Sequence, residues 1–368
     1  MPVFDLRAHD AALSAEIAGA VSRVLRSGWF VLGPELEAFE KAFAAWLGGG
    51  YVVGVASGTD ALQLALAAAG VGAGDGVLTV PNTAVPTVSA ITALGARPRF
   101  VDVSPDTALI DPAAIDAAVA PDCRAIVPVH LYGRLAEMEA IGEVARRHRL
   151  AIIEDAAQAH GARRSGRAAG TWGEFGCFSF YPSKNLGAYG DGGAIWTASA
   201  EDAARLREMR NYGQRDRYVH ASVGVNSRLD EIQAAILATK LPHLERWNQR
   251  RRELAGTYRR LLEPLPLRLP APAPPGEHVY HLFTVRSAHR AHLREALAAA
   301  GIATQIHYPI PVHRQQAYRD LGYPAGAFPE AEAWCAETLS LPFSPALGEN
   351  ALQRVAAALA AAREGERG

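Results

Sequence analysis

The chain has 368 residues, of which 49% are hydrophobic and 20% charged, and its formal net charge is −1. This composition excludes a disordered chain, because it offers enough apolar surface to form a core. The balanced charge argues against a strong attraction to nucleic acid or to an anionic membrane. At roughly 150 residues per domain, the length predicts two to three domains.

The cysteines indicate whether a metal site or disulfides are expected, and the apolar segments indicate where in the cell the protein is expected. The three cysteines are far apart and form no C-x-x-C pair, so neither a disulfide framework nor a zinc site is expected. His278 and His281 have no evident acidic partner, and we expect them to be structural. The first residues lack the apolar segment of a secretory signal, and the longest apolar stretch, 61–74, is too short to span a bilayer. We expect a cytoplasmic protein with neither a metal site nor a membrane partner.

Helices and strands alternate through the first part of the chain. Apolar residues recur at helical spacing over 13–25 and 36–47. The segments that follow are predicted as strands at 51–55, 77–80, 99–103, 125–129 and 150–153, and as helices at 61–69, 83–94 and 137–148. A further helix is predicted with Asp111 as its N-cap and Pro112 at its first position. Continuous apolar strands separated by helices are typical of a parallel sheet covered on both faces. Ligands of such sheets bind beyond the carboxyl ends of the strands.

The pattern changes in the second half of the chain. A long helical stretch, 229–262, is interrupted at Pro242, and a proline-rich segment, 263–277, follows it as a stiff connector. Beyond it we predict a strand at 279–285 and helices at 289–299 and 350–361. We therefore predict a large α/β domain, 1–245, and a smaller C-terminal α+β domain, 246–368.

Three segments next to predicted strands carry side chains suited to chemistry. Ser57, Gly58 and Thr59 precede a helix and suit either a phosphate cradle or a simple helix cap. Asp155 follows a strand and suits either a cationic ligand group or, again, a cap. Lys184 lies among aromatic residues and glycines, where partial burial would lower its pKa, as a Schiff-base lysine requires; the alternative is a solvated surface lysine. Together these parts could hold pyridoxal phosphate (PLP).

Several motifs match one family in order along nearly the whole chain. They lie at 27–34, 39–40, 56–62, 154–158, 178–184, 190–193, 211–213, 224–233 and 307–309. On these motifs the sequence resembles the DegT/DnrJ/EryC1/StrS family of PLP-dependent nucleotide-sugar aminotransferases. The resemblance implies an α/β, aspartate-aminotransferase-like (type I PLP) fold with a mostly parallel central sheet. It also implies an active site at a homodimer interface.

The resemblance further implies roles for individual residues. Lys184 matches the lysine that binds the cofactor, Asp155 the partner of the pyridine nitrogen, and Gln158 a contact of the ring hydroxyl. The implied phosphate contacts are Ser57, Gly58, Thr59, Ser179 and, toward the cofactor of the partner chain, Asn226. The implied sugar contacts are Tyr181, His307 and Tyr308.

Three positions leave questions open. Ala84 stands where relatives often place an aromatic residue over the ring, so the ring is either stacked less well or covered by another side chain. His220 lies near the Asn226 segment and suits either the sugar or a solvated loop. Arg228 suits a nucleotide phosphate, or an ion pair with Asp230 or Glu231.

The resemblance also bears on the reaction. A related dehydratase branch has histidine at the position of Lys184, so lysine favours transamination with L-glutamate as the amino donor. Segments 226–230 and 306–311 resemble the branch that acts on 3-keto sugars, and members acting on 4-keto sugars more often have tyrosine at the position of Ser227. We therefore expect a dTDP-3-keto-6-deoxyhexose as substrate. The alternatives are a 4-keto nucleotide sugar, a UDP-linked 3-keto sugar and a carbocyclic ketone.

Other classes fit the sequence less well. A dinucleotide dehydrogenase would need G-x-G-x-x-G at a strand-to-helix turn, and the glycines at 70–76 fail that spacing. We find no G-x-S-x-G of a serine hydrolase. A regulatory or sensor protein of the same fold should have lost Lys184 or Asp155, and both are present.

Overall fold

A computed structural model describes residues 1–364 and places a seven-stranded sheet at the centre of the molecule. The strand order is β1-β9-β8-β5-β4-β2-β3, and β9 runs antiparallel to both of its neighbours while the remaining pairs are parallel. The strands of the chain are β1 (Tyr51–Val55), β2 (Gly76–Thr79), β3 (Arg97–Phe100), β4 (Cys123–Ile126), β5 (Ala151–Asp155), β6 (Arg163–Arg164), β7 (Arg167–Ala168), β8 (Phe175–Ser179), β9 (Gly193–Thr197), β10 (Gln214–Asp216), β11 (Val219–His220), β12 (Phe283–Arg286) and β13 (Thr338–Leu341). The mostly parallel sheet predicted from the sequence is confirmed.

Helices cover both faces of this sheet. The α-helices of the described residues are α1 (Leu6–Asp10), α2 (Ser14–Ser27), α3 (Pro34–Leu47), α4 (Gly58–Ala68), α5 (Val85–Ala93), α6 (Pro112–Ala118), α7 (Met138–His148), α8 (Ala200–Met209), α9 (Glu231–Lys240), α10 (Leu244–Leu262), α11 (Arg290–Ala299), α12 (Pro329–Glu337) and α13 (Glu349–Glu364). Neighbouring strand residues point to opposite cores: Val52 joins the core that holds Phe39 and Phe43, whereas Val53 joins the core that holds Leu66 and Ile91. Burial on both sides explains why the strands are continuously apolar.

The C-terminal part of the chain has a core of its own. β12 and β13 pair antiparallel, with Phe283 opposite Leu341, and α10, α11 and α13 pack around them. Tyr258 and Phe343 are fully buried in this core beside Phe283. The division at 245/246 stays a prediction, and residues 365–368 of the predicted second domain lie outside the described residues. None of the helices within residues 1–364 is both long enough and apolar enough to cross a bilayer.

The topology brings several loops to one edge of the sheet. β1, β2, β4, β5 and β8 share one direction, so their carboxyl ends meet at that edge. β9 is antiparallel, so its first residue, Gly193, begins at the same edge. The residues singled out after β1, β5 and β8 are thereby gathered beside one another.

Candidate active site

A cavity of about 310 Å³ lies at this edge of the sheet. Most of the residues predicted to form the site line it. They are Ser57, Gly58, Thr59, Ala84, Asp155, Gln158, Ser179, Tyr181, Lys184 and Tyr308. The remaining predicted residues, His220, Asn226, Arg228 and His307, are not among its lining residues.

One end of the cavity is built from small residues at the start of α4. Ser57 is the N-cap of α4, and its Oγ accepts a hydrogen bond of 3.1 Å from the Asp60 amide. Gly58 approaches the end of β8 closely, since a Cβ at Gly58 would lie 2.7 Å from Cβ of Ser179. The N-terminus of a helix carries free amide groups and a positive dipole end, which together favour an anion. Ser57 therefore caps its helix and also lines a pocket suited to phosphate.

Ser227 supports this end of the cavity from behind. Its Oγ accepts a hydrogen bond of 3.1 Å from the Ala56 amide and donates one of 2.6 Å to Oδ2 of Asp60. Ser227 is buried and does not line the cavity, so within this chain it fixes the turn between β1 and α4.

The two neighbouring acidic residues at the end of β5 have different surroundings. Asp155 lines the cavity, where its Oδ2 accepts 2.8 Å from the Thr87 hydroxyl and its Oδ1 accepts 3.2 Å from the Ala157 amide. Glu154 is fully buried and does not line the cavity. Its two oxygens accept hydrogen bonds from the His130 side chain and from backbone amides at 170, 172 and 173. Asp155 is thus the carboxylate that a ligand can reach.

Lys184 lies in the loop after β8 and lines the same cavity. Burial lowers its pKa from 10.5 to about 8, and the opposing charge of Asp155 limits the shift. The next residue, Asn185, anchors the loop: its Nδ2 donates 2.9 Å to Oδ1 of Asn248 and 3.2 Å to the Val279 carbonyl. Its Oδ1 lies 3.2 Å from Nδ1 of His281. A held lysine with a lowered pKa suits a nucleophile and proton carrier.

Gln158 and Tyr308 close another side of the cavity. Oε1 of Gln158 accepts 2.6 Å from the Tyr132 amide, and its Nε2 donates 3.3 Å to the hydroxyl of Tyr308. Burial raises the pKa of Tyr308 to about 12, so its hydroxyl keeps its proton near neutral pH. His307 lies behind Tyr308, with Nδ1 2.8 Å from the hydroxyl of Ser340. Burial, with a smaller effect of Lys184, lowers the pKa of His307 to about 4, so its imidazole is neutral.

The 211–228 segment lies outside the cavity of its own chain. Asn226 is exposed and forms a bridge with Asn211. Nδ1 of His220 lies 2.8 Å from the Tyr212 carbonyl. Arg228 donates 3.0 Å to Oδ1 of Asn211 and lies over the Tyr212 ring, rather than forming either ion pair considered above. The roles predicted for His220, Asn226 and Arg228 stay predictions.

The cavity also contains residues that the sequence analysis missed. Thr83 and Thr87 are buried at the start of α5 and line it, as do Val129 and Ala157. Ala84 brings no aromatic ring, and the rings that line the cavity within the described chain are those of Tyr181 and Tyr308. No local signal marked the two threonines: Thr83 lies just before α5 and Thr87 in its first turn, and the fold brings their hydroxyls together beside Asp155.

Solved structures of similar shape are aminotransferases. DesV from S. venezuelae, in complex with a ketimine intermediate, matches with a TM-score of 0.95 and 49% identity, covering 97% of this chain and 96% of that chain. Other matched structures are described in pyridoxamine phosphate (PMP) and PLP forms. The fold and the cavity therefore define an α/β aminotransferase of the aspartate-aminotransferase-like, type I class, as predicted.

Sequence comparisons give the family. The DegT/DnrJ/EryC1/StrS aminotransferase family model matches residues 11–360, and the chain belongs to this family. It is 49% identical over 348 residues to dTDP-3-amino-3,4,6-trideoxy-alpha-D-glucose transaminase of Streptomyces venezuelae, covering 94% of this chain and 92% of that protein. It is also 47% identical over 362 residues to the erythromycin biosynthesis sensory transduction protein EryC1 of Saccharopolyspora erythraea, covering 98% and 99%.

Proposed function

We propose that the chain transfers the amino group of L-glutamate to carbon 3 of a dTDP-3-keto-6-deoxyhexose, with PLP as its cofactor. The observation that carries this proposal is that Lys184 and Asp155 line one cavity together with the start of α4. The 49% identity to a transaminase named for a dTDP-3-amino sugar supports the substrate class. The presence of both residues favours catalysis over a sensor role. The cytoplasmic location stays a prediction.

The donor groups of the cavity fit PLP. The amides and hydroxyls of Ser57, Gly58 and Thr59 suit its phosphate, and the absence of a side chain at Gly58 leaves room beside Ser179. The carboxylate of Asp155 suits a protonated ring nitrogen, and the amide of Gln158 suits the ring hydroxyl. Lys184 has the primary amine needed to hold the aldehyde.

Each of these residues then has a defined task in the reaction. When bound, PLP supplies a carbonyl carbon for amino groups and a ring that accepts negative charge from the reacting carbon. Asp155 keeps the ring nitrogen protonated by placing a negative charge beside it. Lys184 moves a proton at the reacting carbon, and with a pKa of about 8 its Nζ can both hold and release that proton near neutral pH.

Tyr308, His307 and Tyr181 are proposed to meet the substrate. Tyr308 accepts a hydrogen bond from Gln158, which leaves its own proton available for a substrate oxygen. His307 is neutral and close to Lys184, so it adds no second positive charge beside that amine. Tyr181 is 55% exposed at the cavity and suits the bulkier sugar nucleotide.

We also propose that the chain acts as a homodimer. Large apolar side chains are exposed on the segment that carries Asn226: Val223 is 96% exposed and Tyr218 79%. Exposed apolar patches of this kind are typical of interfaces. In the proposed dimer, Asn226 reaches the cofactor phosphate of the partner chain, and His220 and Arg228 approach its substrate.

The substrate proposal is tested by running the second half-reaction backwards, because amino sugars are stable and 3-keto sugars are not. A dTDP-3-amino sugar and a dTDP-4-amino sugar are added separately to the purified PLP form. We expect only the 3-amino sugar to bleach the visible absorbance, with the 3-keto product seen by mass spectrometry. Bleaching by only the 4-amino sugar would overturn the regiochemistry. Bleaching by neither would point to UDP-linked or carbocyclic compounds.

The shared site is tested by mixing inactive chains. In the proposed dimer, each site takes Lys184 from one chain and Asn226 from the other. A dimer of one Lys184→Ala chain and one Asn226→Ala chain therefore has one intact site. About half of the dimers in an equal mixture are of this kind, so the mixture should recover about a quarter of wild-type activity. Lys184→Ala mixed with Asp155→Asn is the matched control. Both of these residues line the cavity of one chain, so that mixture stays inactive. Equal recovery in both mixtures, or in neither, would contradict the proposal for Asn226.

A further inference from the structure

A short hydrogen-bonded chain of hydroxyls leads from α5 to Asp155. The hydroxyl of Thr87 donates to Oδ2 of Asp155 at 2.8 Å, and Oγ1 of Thr83 lies 2.9 Å from Oγ1 of Thr87. Thr83 is 2% exposed and Thr87 is 1% exposed, and both line the cavity. The reaction steps proposed for Lys184 and Asp155 do not involve either threonine.

The direction of this chain follows from its last member. An ionised carboxylate only accepts hydrogen bonds, so Thr87 must give its single hydroxyl proton to Asp155. Between the two threonines, Thr83 is therefore the donor and Thr87 the acceptor. The order Thr83 to Thr87 to Asp155 is the one arrangement in which Asp155 stays ionised and both threonines are paired.

These bonds fix the plane of the Asp155 carboxylate. Oδ2 is held by Thr87 on one side, and Oδ1 accepts from the Ala157 amide at 3.2 Å. Two donors attached to different oxygens prevent rotation about the bond to the carboxyl carbon. Each oxygen keeps a further lone pair, and because Asp155 lines the cavity these lone pairs are available to a ligand there.

We propose that Thr87 is a positioning residue that orients the Asp155 carboxylate toward the ring nitrogen of PLP, and that Thr83 holds Thr87 in the donating geometry. The proposal rests on the proposed function, because it needs PLP in this cavity. Without Thr87, the carboxylate keeps its charge but can turn its free lone pairs away from the ring. The protonated ring nitrogen is then stabilised less, and proton removal at the reacting carbon slows.

The test compares Thr87→Val with Thr87→Ser in the PLP-loaded enzyme. Valine keeps the size of threonine and removes the hydroxyl, whereas serine keeps the hydroxyl. We expect Thr87→Val to weaken PLP binding about tenfold or more, as is typical for loss of a hydrogen bond to a charged group. We expect kcat to fall by a similar factor while KM for L-glutamate changes less than about twofold. Thr87→Ser should restore most of both losses.

Two further variants separate positioning from general damage. Thr92→Val is the matched control, because Thr92 lies on the same helix and its hydroxyl bonds only to backbone carbonyls of Val88 and Ser89. It should bind PLP like the wild type. Thr83→Val removes the outer link and should give a smaller loss in the same direction as Thr87→Val. It also keeps the proposal testable if Thr87→Val does not fold.

The readouts are PLP affinity, from the growth of the visible absorbance on titration, and kcat and KM for L-glutamate. The proposal is overturned if Thr87→Val matches the wild type, or if Thr87→Ser is as defective as Thr87→Val, since the methyl group would then be what matters. Wild-type protein that fails to bind PLP would overturn the proposed function and the positioning role with it. Normal wild-type binding with an unaffected Thr87→Val variant overturns the positioning role alone.

Discussion

Replacing Glu154 by glutamine tests how the end of β5 is held. Glu154 is fully buried, and its Oε1 accepts from the amides of Trp172 and Gly173. Its Oε2 accepts 2.8 Å from the Gly170 amide and lies 2.8 Å from Nε2 of His130. Because four donors point at the two oxygens, a side-chain amide in either orientation would turn its NH₂ group toward two of them.

His130 cannot adapt to the change by moving its proton. Its Nδ1 accepts 3.1 Å from the Ala136 amide, so the ring proton is on Nε2 and points to Glu154. Glu154→Gln therefore loses two hydrogen bonds of a charged acceptor, at about 1.5–3 kcal/mol each. The expected loss in the free energy of unfolding is about 3–6 kcal/mol, which is a large part of the roughly 5–15 kcal/mol that stabilises a typical protein.

Urea unfolding of the cofactor-free protein measures this loss, and Glu174→Gln is its control. Glu174 is exposed, and its Oε2 accepts one hydrogen bond, from the Ile152 amide, which the oxygen of glutamine can replace. We expect a change within about 0.5 kcal/mol for the control. Equal midpoints for the two variants would refute the reasoning, because the four donors would then be satisfied without the charge of Glu154.

Three further predictions concern the cavity. Lys184→Ala should abolish transamination in a steady-state assay, and turnover near the wild-type level would contradict its role. Because burial lowers the pKa of Lys184 to about 8, well below the usual 10.5, half of the amine should be neutral at about pH 8. PLP capture by the cofactor-free protein should therefore rise with its midpoint at about pH 8 and level off above that. A midpoint near 10.5 would refute the shift. Gly58→Ala should weaken PLP binding, because its Cβ would lie 2.7 Å from Cβ of Ser179 and overpacking of this kind costs about 1–3 kcal/mol. Gly72→Ala, which meets no atom within 4 Å, should leave titrated PLP affinity unchanged.

Regular patterns in the sequence predicted much of the fold. The strand at 51–55 has its observed bounds, and Asp111 caps the helix that starts at Pro112 through the Ala113 amide, as expected. The segment 279–285 was predicted as one strand, yet β12 starts only at Phe283. The start of this segment is held by a tertiary contact instead of by strand pairing. The Val279 amide donates a hydrogen bond to the carbonyl of Gly133, which lies in a loop beyond the central sheet.

Other elements lacked a local signal. β9 (Gly193–Thr197) follows a glycine-rich loop and runs antiparallel between β1 and β8. A short apolar segment does not indicate which strands it pairs with or in which direction it runs. α12 and β13 follow one another directly at Glu337 and Thr338, with no turn residue between them to mark the change. All three elements were missed because their conformation depends on packing against distant segments rather than on their own pattern.

In the candidate active site, too, residue type could be read from the sequence, but the surroundings of each residue could not. Glu154 and Asp155 are adjacent acidic residues, and their residue types alone do not distinguish their roles. Neighbouring side chains of a strand point to opposite faces, so one carboxylate meets four donors inside the protein and the other meets two and borders a cavity. A carboxylate whose lone pairs are taken up by the protein stabilises the fold, whereas one with free lone pairs at a cavity can serve a ligand. The number of donors at each carboxylate therefore supports the proposed role of Asp155 toward a ligand and a structural role for Glu154, and that number exists only once the chain is folded.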